Sequence, residues 1–253
     1  MFIESCRPVW LRGDYLSKQS FVTITCEHGG NDIPDIYRPL FLHANDLLSS
    51  HRGLDLGALS VFMALKEANI ANFYHHTTIS RLFVELNRSL GHPRLWSEFT
   101  QNLSIDIKDQ ILASYYFPYR SLVESTIKDG IHKMGRVIHL SIHSFTAQLN
   151  GEQRKAEVGF LYDPSRFEKP FCDAWRVQMQ ALKPTWRIRR NYPYRGTADG
   201  LITYLRKKFS ASEYLGIELE MNQELLRSDK DVGKIIVQSL KKTLAMNWLP
   251  EQD

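Results

Sequence analysis

The chain has 253 residues, 43% hydrophobic and 24% charged, with 11% aromatics and only 14 Gly and 10 Pro; this excludes disordered, collagen-like and low-complexity classes. A chain of this size buries roughly three quarters of its unfolded surface, so its core needs neither disulfide nor metal to hold it. Three cysteines (Cys6, Cys26, Cys172) without a CxxC exclude a disulfide framework or a cysteine zinc finger, and the net charge of +4 is mild.

The first residues, MFIESCRPVWLRGDYL, place Glu4, Arg7 and Arg12 where a signal peptide needs an unbroken apolar stretch. No apolar run reaches the about 18 residues of a membrane span. The expectation is a cytoplasmic protein that does not enter the membrane. From there the pattern alternates between strand-length apolar runs and longer helical stretches. Strands are expected at 21–26, 72–74, 82–87, 137–143, 159–162, 185–190 and 215–221. Leu54, Ala58, Val61, Phe62 and Leu65 recur at helical spacing, which predicts a helix over 51–68. Further helices are expected over 109–133, 166–182, 198–209 and 229–247. In the last of these, Ile236, Leu240, Leu244 and Trp248 form an i, i+4 stripe that reads as core. Residues 91–107, with Pro93 and Trp96, read as a long loop of the kind that carries function. No repeat or Ser/Gly-rich linker divides the chain, so one domain over 1–253 is expected, α/β with a largely parallel sheet.

Chemistry gathers where these strands end. The first ends in Glu27-His28-Gly29-Gly30-Asn31, and two glycines let the backbone turn and leave the imidazole projecting at the carboxyl end. Ligands bind at that edge of open α/β sheets. In 137–143 the period of two sets His139, Ser141 and His143 opposite Ile138, Leu140 and Ile142. In 215–221, Glu218 and Glu220 share a face; two such carboxylates lie about 6.6–7 Å apart, so only one touches a given atom. Asn87-Arg88 pairs an amide with a guanidinium fork suited to a carboxylate. Each feature alone is more often structural. Together they resemble a zinc site, which needs neutral imidazoles, a carboxylate, an open position and a separate Glu for protons.

At these residues the sequence resembles the N-formylglutamate amidohydrolase family, relatives of the zinc carboxypeptidases and aminoacylase-type deacylases. The matching segments are TCEHGGNDIP, HRGLDLGA, SRLFVELNRS, SIHSF, NYPYRGTADG and GIELEMNQ, in the family's order, from Thr25 to Gln223. The resemblance implies a three-layer α/β/α fold of the zinc carboxypeptidase and phosphorylase-hydrolase type, with a mixed, largely parallel sheet. It implies a hydrolase with one Zn2+, acting on the N-formyl or N-acyl amide of an amino acid such as N-formyl-L-glutamate, and a place in histidine degradation. His28 and His143 match its histidine zinc ligands. Asp55 is the preferred acidic ligand; Asn31 stands where carboxypeptidases place a ligand Glu. Glu220 matches the catalytic Glu, with Glu218 as its rival on parity. Arg81, Asn87 and Arg88 match residues that hold the substrate carboxylate, Arg81 also assisting at the oxyanion, and Asn191, Tyr194 and Gly196 fall in a substrate-side loop.

Three positions depart from the family's pattern. Ser141 stands where an Asp is common, so a carboxylate behind the second histidine is missing from that position. Glu27 replaces a proline, and Glu85 an Asp. A second enzymatic reading is a zinc carboxypeptidase or amidase acting on peptides or cell-wall fragments. A third, nucleic-acid binding, rests on the basic segment 183–208, where Lys183, Arg187, Arg189, Arg190, Arg195, Arg206, Lys207 and Lys208 face one acid, Asp199. The mild net charge and the lack of a nucleic-acid motif argue against it. The sequence specifies no oligomeric state.

Overall fold

The β-branched run Phe21–Cys26 forms strand β1, buried at every position after Phe21, as expected of a strand covered on both faces. In this computed structural model the described residues are 20–246; Cys6, Asn247 and Trp248 lie outside them. A 3-10 segment (Asp35–Phe41) and a short helix α1 (Asn45–Leu48) lead to α2 (Ala58–Glu67) and β2 (Phe73–His76). Then come α3 (Ile105–Ile111), a π turn (Leu112–Tyr116), α4 (Phe117–Met134) and β3 (Val137–Phe145). A small hairpin of β4 (Gln148–Leu149) and β5 (Glu152–Gln153) precedes β6 (Val158–Leu161), α5 (Glu168–Leu182) and β7 (Ile188–Arg190). The chain closes with α6 (Leu201–Lys208), β8 (Tyr214–Asn222), α7 (Gln223–Ser228) and α8 (Val232–Leu244).

The main sheet is six-stranded, in the order β2-β1-β3-β8-β6-β7. Pairing is parallel except between β6 and β8. It is a mixed, mostly parallel α/β sheet with helices on both faces. One core joins α2, α5 and α8 to Ile138, Leu140 and Ile142 on one face. The other sets α4, α6 and the chain around Phe83 against Val137 and Tyr214. Trp175, fully buried on α5, donates its indole N–H to Ser239 Oγ of α8 at 2.9 Å; burying such a side chain stabilises by roughly 1.5–3 kcal/mol.

Three expectations need correction and a fourth gains a local detail. Residues 82–87 are not a strand. Leu82, Phe83, Val84 and Leu86 are all buried, while local turns (Phe83 N–H to Ser80 O, 2.9 Å) and the Leu95 carbonyl, which accepts from Glu85 N–H at 3.1 Å, take the place of a ladder. Their alternation comes from a core lying beneath a loop. The helix expected from 51 starts only at Ala58, because Gly57, with φ of +81°, makes the turn ahead of it. The helix expected over 109–133 is present within a helical run from Ile105 to Met134, with a π turn at Leu112–Tyr116 inside it. Pro118 lacks the N–H that an unbroken helix would give to the Ser114 carbonyl. The strand expected over 185–190 is confined to Ile188–Arg190.

Candidate active site

From β1 the chain crosses to β2 on one side and then returns to β3 on the other. The carboxyl ends of β1 and β3 therefore flank the point where strand order reverses, the expected place for a ligand. His28 follows β1 directly, and His143 lies two residues from the end of β3. Asp55 belongs to the turn before α2, not to the helix, and its N–H donates to the His28 carbonyl at 3.0 Å. That bond brings the carboxylate over the two strand ends.

The three side chains converge. His28 Nδ1 lies 3.2 Å and His143 Nδ1 2.9 Å from the same Asp55 Oδ2. Each group is buried, and one ligand atom from each falls within 4.8 Å of the others. The far nitrogen of each imidazole meets its own carboxylate. His28 Nε2 is 2.5 Å from Glu85 Oε1, and His143 Nε2 is 3.1 Å from Glu27 Oε2. Arg81 donates to the other oxygen of Asp55. Burial alone would raise Asp55, but the Arg81 and His28 charges and imidazole hydrogen bonds hold it well below the carboxylate range. Glu85 is likewise carried down to about 2, against its burial, by the charge and hydrogen bond of His28. Glu27 is lowered too, its burial outweighed by His143, Ser141 and Thr25. Burial alone would lower His143, yet hydrogen bonds to Asp55 and Glu27 push it up.

This donor set fits a divalent metal. With both imidazoles neutral, the carboxylates of Asp55, Glu85 and Glu27 against the guanidinium of Arg81 leave a charge of −2, which one such ion cancels. With an ion bound between the three groups, a hydrogen on each Nε2, facing its glutamate, would leave each Nδ1 lone pair free to coordinate it. Asn31 does not line the cavity.

β8 brings the remaining carboxylates. Its register pairs Glu220 with His143 and Glu218 with Ser141. Glu220 is buried, and among the described residues its Oε2 has no hydrogen-bond partner. Burial, with Asp55 and Glu218 nearby, pushes it up to about 8, although the charges of His143 and Arg81 pull the other way. Glu218 is half-buried; a Cβ on Gly200 would stand 3.3 Å from its Oε1. Both line a cavity of about 530 Å³, together with Arg81, Asn87, Arg88 and Tyr194.

The other expected site residues divide into two groups. Asn87 and Arg88 reach the cavity and also build it. Asn87 Oδ1 accepts from Leu201 N–H at 2.7 Å, and Arg88 Nη1 donates to the Asp199 carbonyl at 2.7 Å. Tyr194 stands at the cavity rim, 46% exposed. Asn191 and Gly196 do not line the cavity. Asn191 Oδ1 instead accepts from Tyr162 N–H (3.1 Å) and Gly196 N–H (3.0 Å), folding the loop that presents Tyr194. Of the basic segment, Arg195 reaches the cavity, whereas Lys183, Arg187, Arg190, Arg206 and Lys208 pair with acids.

Sequence reasoning missed how Glu27 and Glu85 back the histidines, and how α4 braces the loop. Arg120 donates to the Leu86 carbonyl at 2.9 Å, and Tyr116, on the π turn, to that of Arg88 at 2.7 Å. Parity gave a signal for Glu27. It shares a strand face with Thr25, and Thr25 pairs with Ser141. Continued two residues, that register faces Glu27 toward His143. There the Glu27 carboxylate meets both His143 Nε2 and the Ser141 hydroxyl.

In fold the chain is similar to a gene product of Agrobacterium tumefaciens, 27% identical, with a TM-score of 0.73 over 90% of this chain and 92% of that one. It also shares the fold of the N-formylglutamate amidohydrolase of Ralstonia eutropha, 14% identical, with a TM-score of 0.65 over 89% and 93%. No curated protein matches the sequence. The sheet and the buried cluster define a mixed α/β fold with a candidate metal pocket at its switch point. The chain belongs to the N-formylglutamate amidohydrolase family, whose profile matches residues 20–227.

Proposed function

We propose that this chain is a zinc-dependent amidohydrolase that removes the formyl, or another small acyl, group from an N-acyl amino acid such as N-formyl-L-glutamate. The products are formate, or the corresponding acid, and the free amino acid, a step that fits histidine degradation in the cytoplasm. The reading is carried by the meeting of His28, Asp55 and His143 beside Glu220, whose Oε2 has no hydrogen-bond partner among the described residues. Zinc held by that triad would supply Lewis acidity toward the amide carbonyl and a lowered pKa for water. Glu220 takes the proton of the attacking water and delivers it to the amine nitrogen as the C–N bond breaks. A divalent ion held beside it would favour the ionised form of Glu220 that accepts this proton. Arg81, whose Nε is buried with no partner among the described residues, donates to the developing oxyanion. Asn87 and Arg88 hold the α-carboxylate, and Tyr194 flanks the substrate at the rim. Asn191 and Gly196 act through the loop they shape. Among the described residues no helix is long and apolar enough to cross a membrane.

The test is amine release by zinc-loaded protein from a panel of N-formyl and N-acetyl amino acids, run beside peptides and cell-wall fragments. Turnover of N-formyl or N-acetyl amino acids is the expected result. Turnover confined to the peptides or fragments would move the assignment to a carboxypeptidase or amidase.

A further inference from the structure

Glu27 raises a question of charge. It is 1% exposed, and burying an ionised carboxylate costs several kcal/mol unless charge and hydrogen bonds compensate. Among the described residues no Lys or Arg pairs with it, and its ionic partner is His143. The remaining contacts orient it. Tyr119 donates its hydroxyl to Oε1 at 3.1 Å, and Ser141 donates to Oε2. Ser141 Oγ in turn lies 2.8 Å from His143 Nε2. The carboxylate and the serine thus form a triangle around one ring nitrogen, while the other ring nitrogen faces Asp55 at 2.9 Å.

We propose that Glu27 is the positioning residue for His143: its carboxylate, with Ser141, keeps the imidazole hydrogen on Nε2 and turns the Nδ1 lone pair toward the metal. The proposal rests on the reading that His28, Asp55 and His143 hold a divalent ion. Glu85 does the same for His28 from the opposite side. The two cases differ in what surrounds the carboxylate. Glu85 lines the cavity and stands near Arg81 and Arg88. Glu27 does not line the cavity, so substrate cannot be what it serves. It touches the site through His143 alone, and the charge it contributes acts by making that imidazole a stronger donor.

The experiment measures zinc affinity by competition with a chromogenic chelator, with circular dichroism to verify folding. Glu27→Gln keeps an acceptor but loses the charge, and Glu27→Ala loses both. They should weaken zinc binding toward the lower and upper ends of about 10–100-fold. Because Ser141 Oγ already lies 2.8 Å from Nε2, an Asp built there reaches the same nitrogen. Glu27→Ala combined with Ser141→Asp should therefore recover most of the affinity. In zinc-loaded wild type, the His143 ¹⁵N resonances should show hydrogen on Nε2, and this signature should shift in Glu27→Ala and return in the double variant. Folded single variants that bind zinc as wild type does would overturn the proposal and leave the triad standing. Wild-type protein that binds no divalent ion would remove the triad reading itself, and this proposal with it.

Discussion

Asp55 and Asn31 are the sharpest residue-level choice at the site. Asp55 Oδ2 touches both histidines, whereas Asn31 lies off the cavity. Asp55→Ala should therefore remove about one equivalent of zinc by elemental analysis, since a three-ligand site rarely survives such a loss. Asn31→Ala should retain it; the reverse outcome would move the third ligand to Asn31. Glu220→Gln should keep its zinc and substrate affinity yet lose about 10²–10⁴ in kcat. Wild-type turnover in that variant would return the proton to Glu218. The same substitution has a pH signature. In the metal-free fold Glu220 titrates near 8, above the ordinary value of about 4.3, so the fold holds a proton that the unfolded chain releases. The stability owed to the neutral form is complete below about pH 4 and is lost as pH rises through about 8. Metal-free wild type should therefore lose stability relative to Glu220→Gln over that window, by a few kcal/mol at ~1.4 kcal/mol per unit. Melting curves that keep the same gap between the two proteins at pH 5 and pH 9 would contradict it.

Among the elements, β6 depends most on a single residue. A Cβ on Gly159 would lie 1.8 Å from the Tyr192 carbonyl oxygen and 3.6 Å from Glu220 Cβ. Gly159→Ala should push the 191–200 loop off the sheet, costing about 1–3 kcal/mol as overpacking does. It should raise KM through Tyr194 while zinc content stays at wild type; an unchanged Tm and KM would show that the loop gives way freely. Legibility differed from element to element for physical reasons. β1, β3 and β8 were readable because their apolar faces are buried and their polar residues stop at the site. Residues 82–87 carried the same alternation without a partner strand, since periodicity reports burial and not pairing. The π turn ahead of α4 was implicit in Pro118, a local signal that the helical spacing at 109–133 does not carry.

At the scale of the whole molecule, no periodicity reveals that β3 lies between β1 and β8 or that β6 runs antiparallel to β8. His28, His143 and Glu220 were therefore legible as candidates, yet Glu27 needed strand adjacency before its partner could be named. The excess negative charge of the assembled site also bears on global stability. A bound ion at a thousandfold excess over Kd contributes ~4 kcal/mol. Stripping the metal with a chelator should thus lower Tm by roughly 8–16 °C, and added zinc should restore it. A melting curve indifferent to chelator would argue that the triad holds no ion. The spacing of the ligands carries one more consequence. Asp55 lies 27 residues from His28 and 88 from His143, and the longer separation closes only when β3 docks beside β1. Such non-local parallel pairing forms slowly. A growing polypeptide thus carries its first imidazole and its carboxylate through a stage at which the second imidazole is not yet docked. On the proposed reading, capture of an ion by all three groups would await the docking of β3 beside β1.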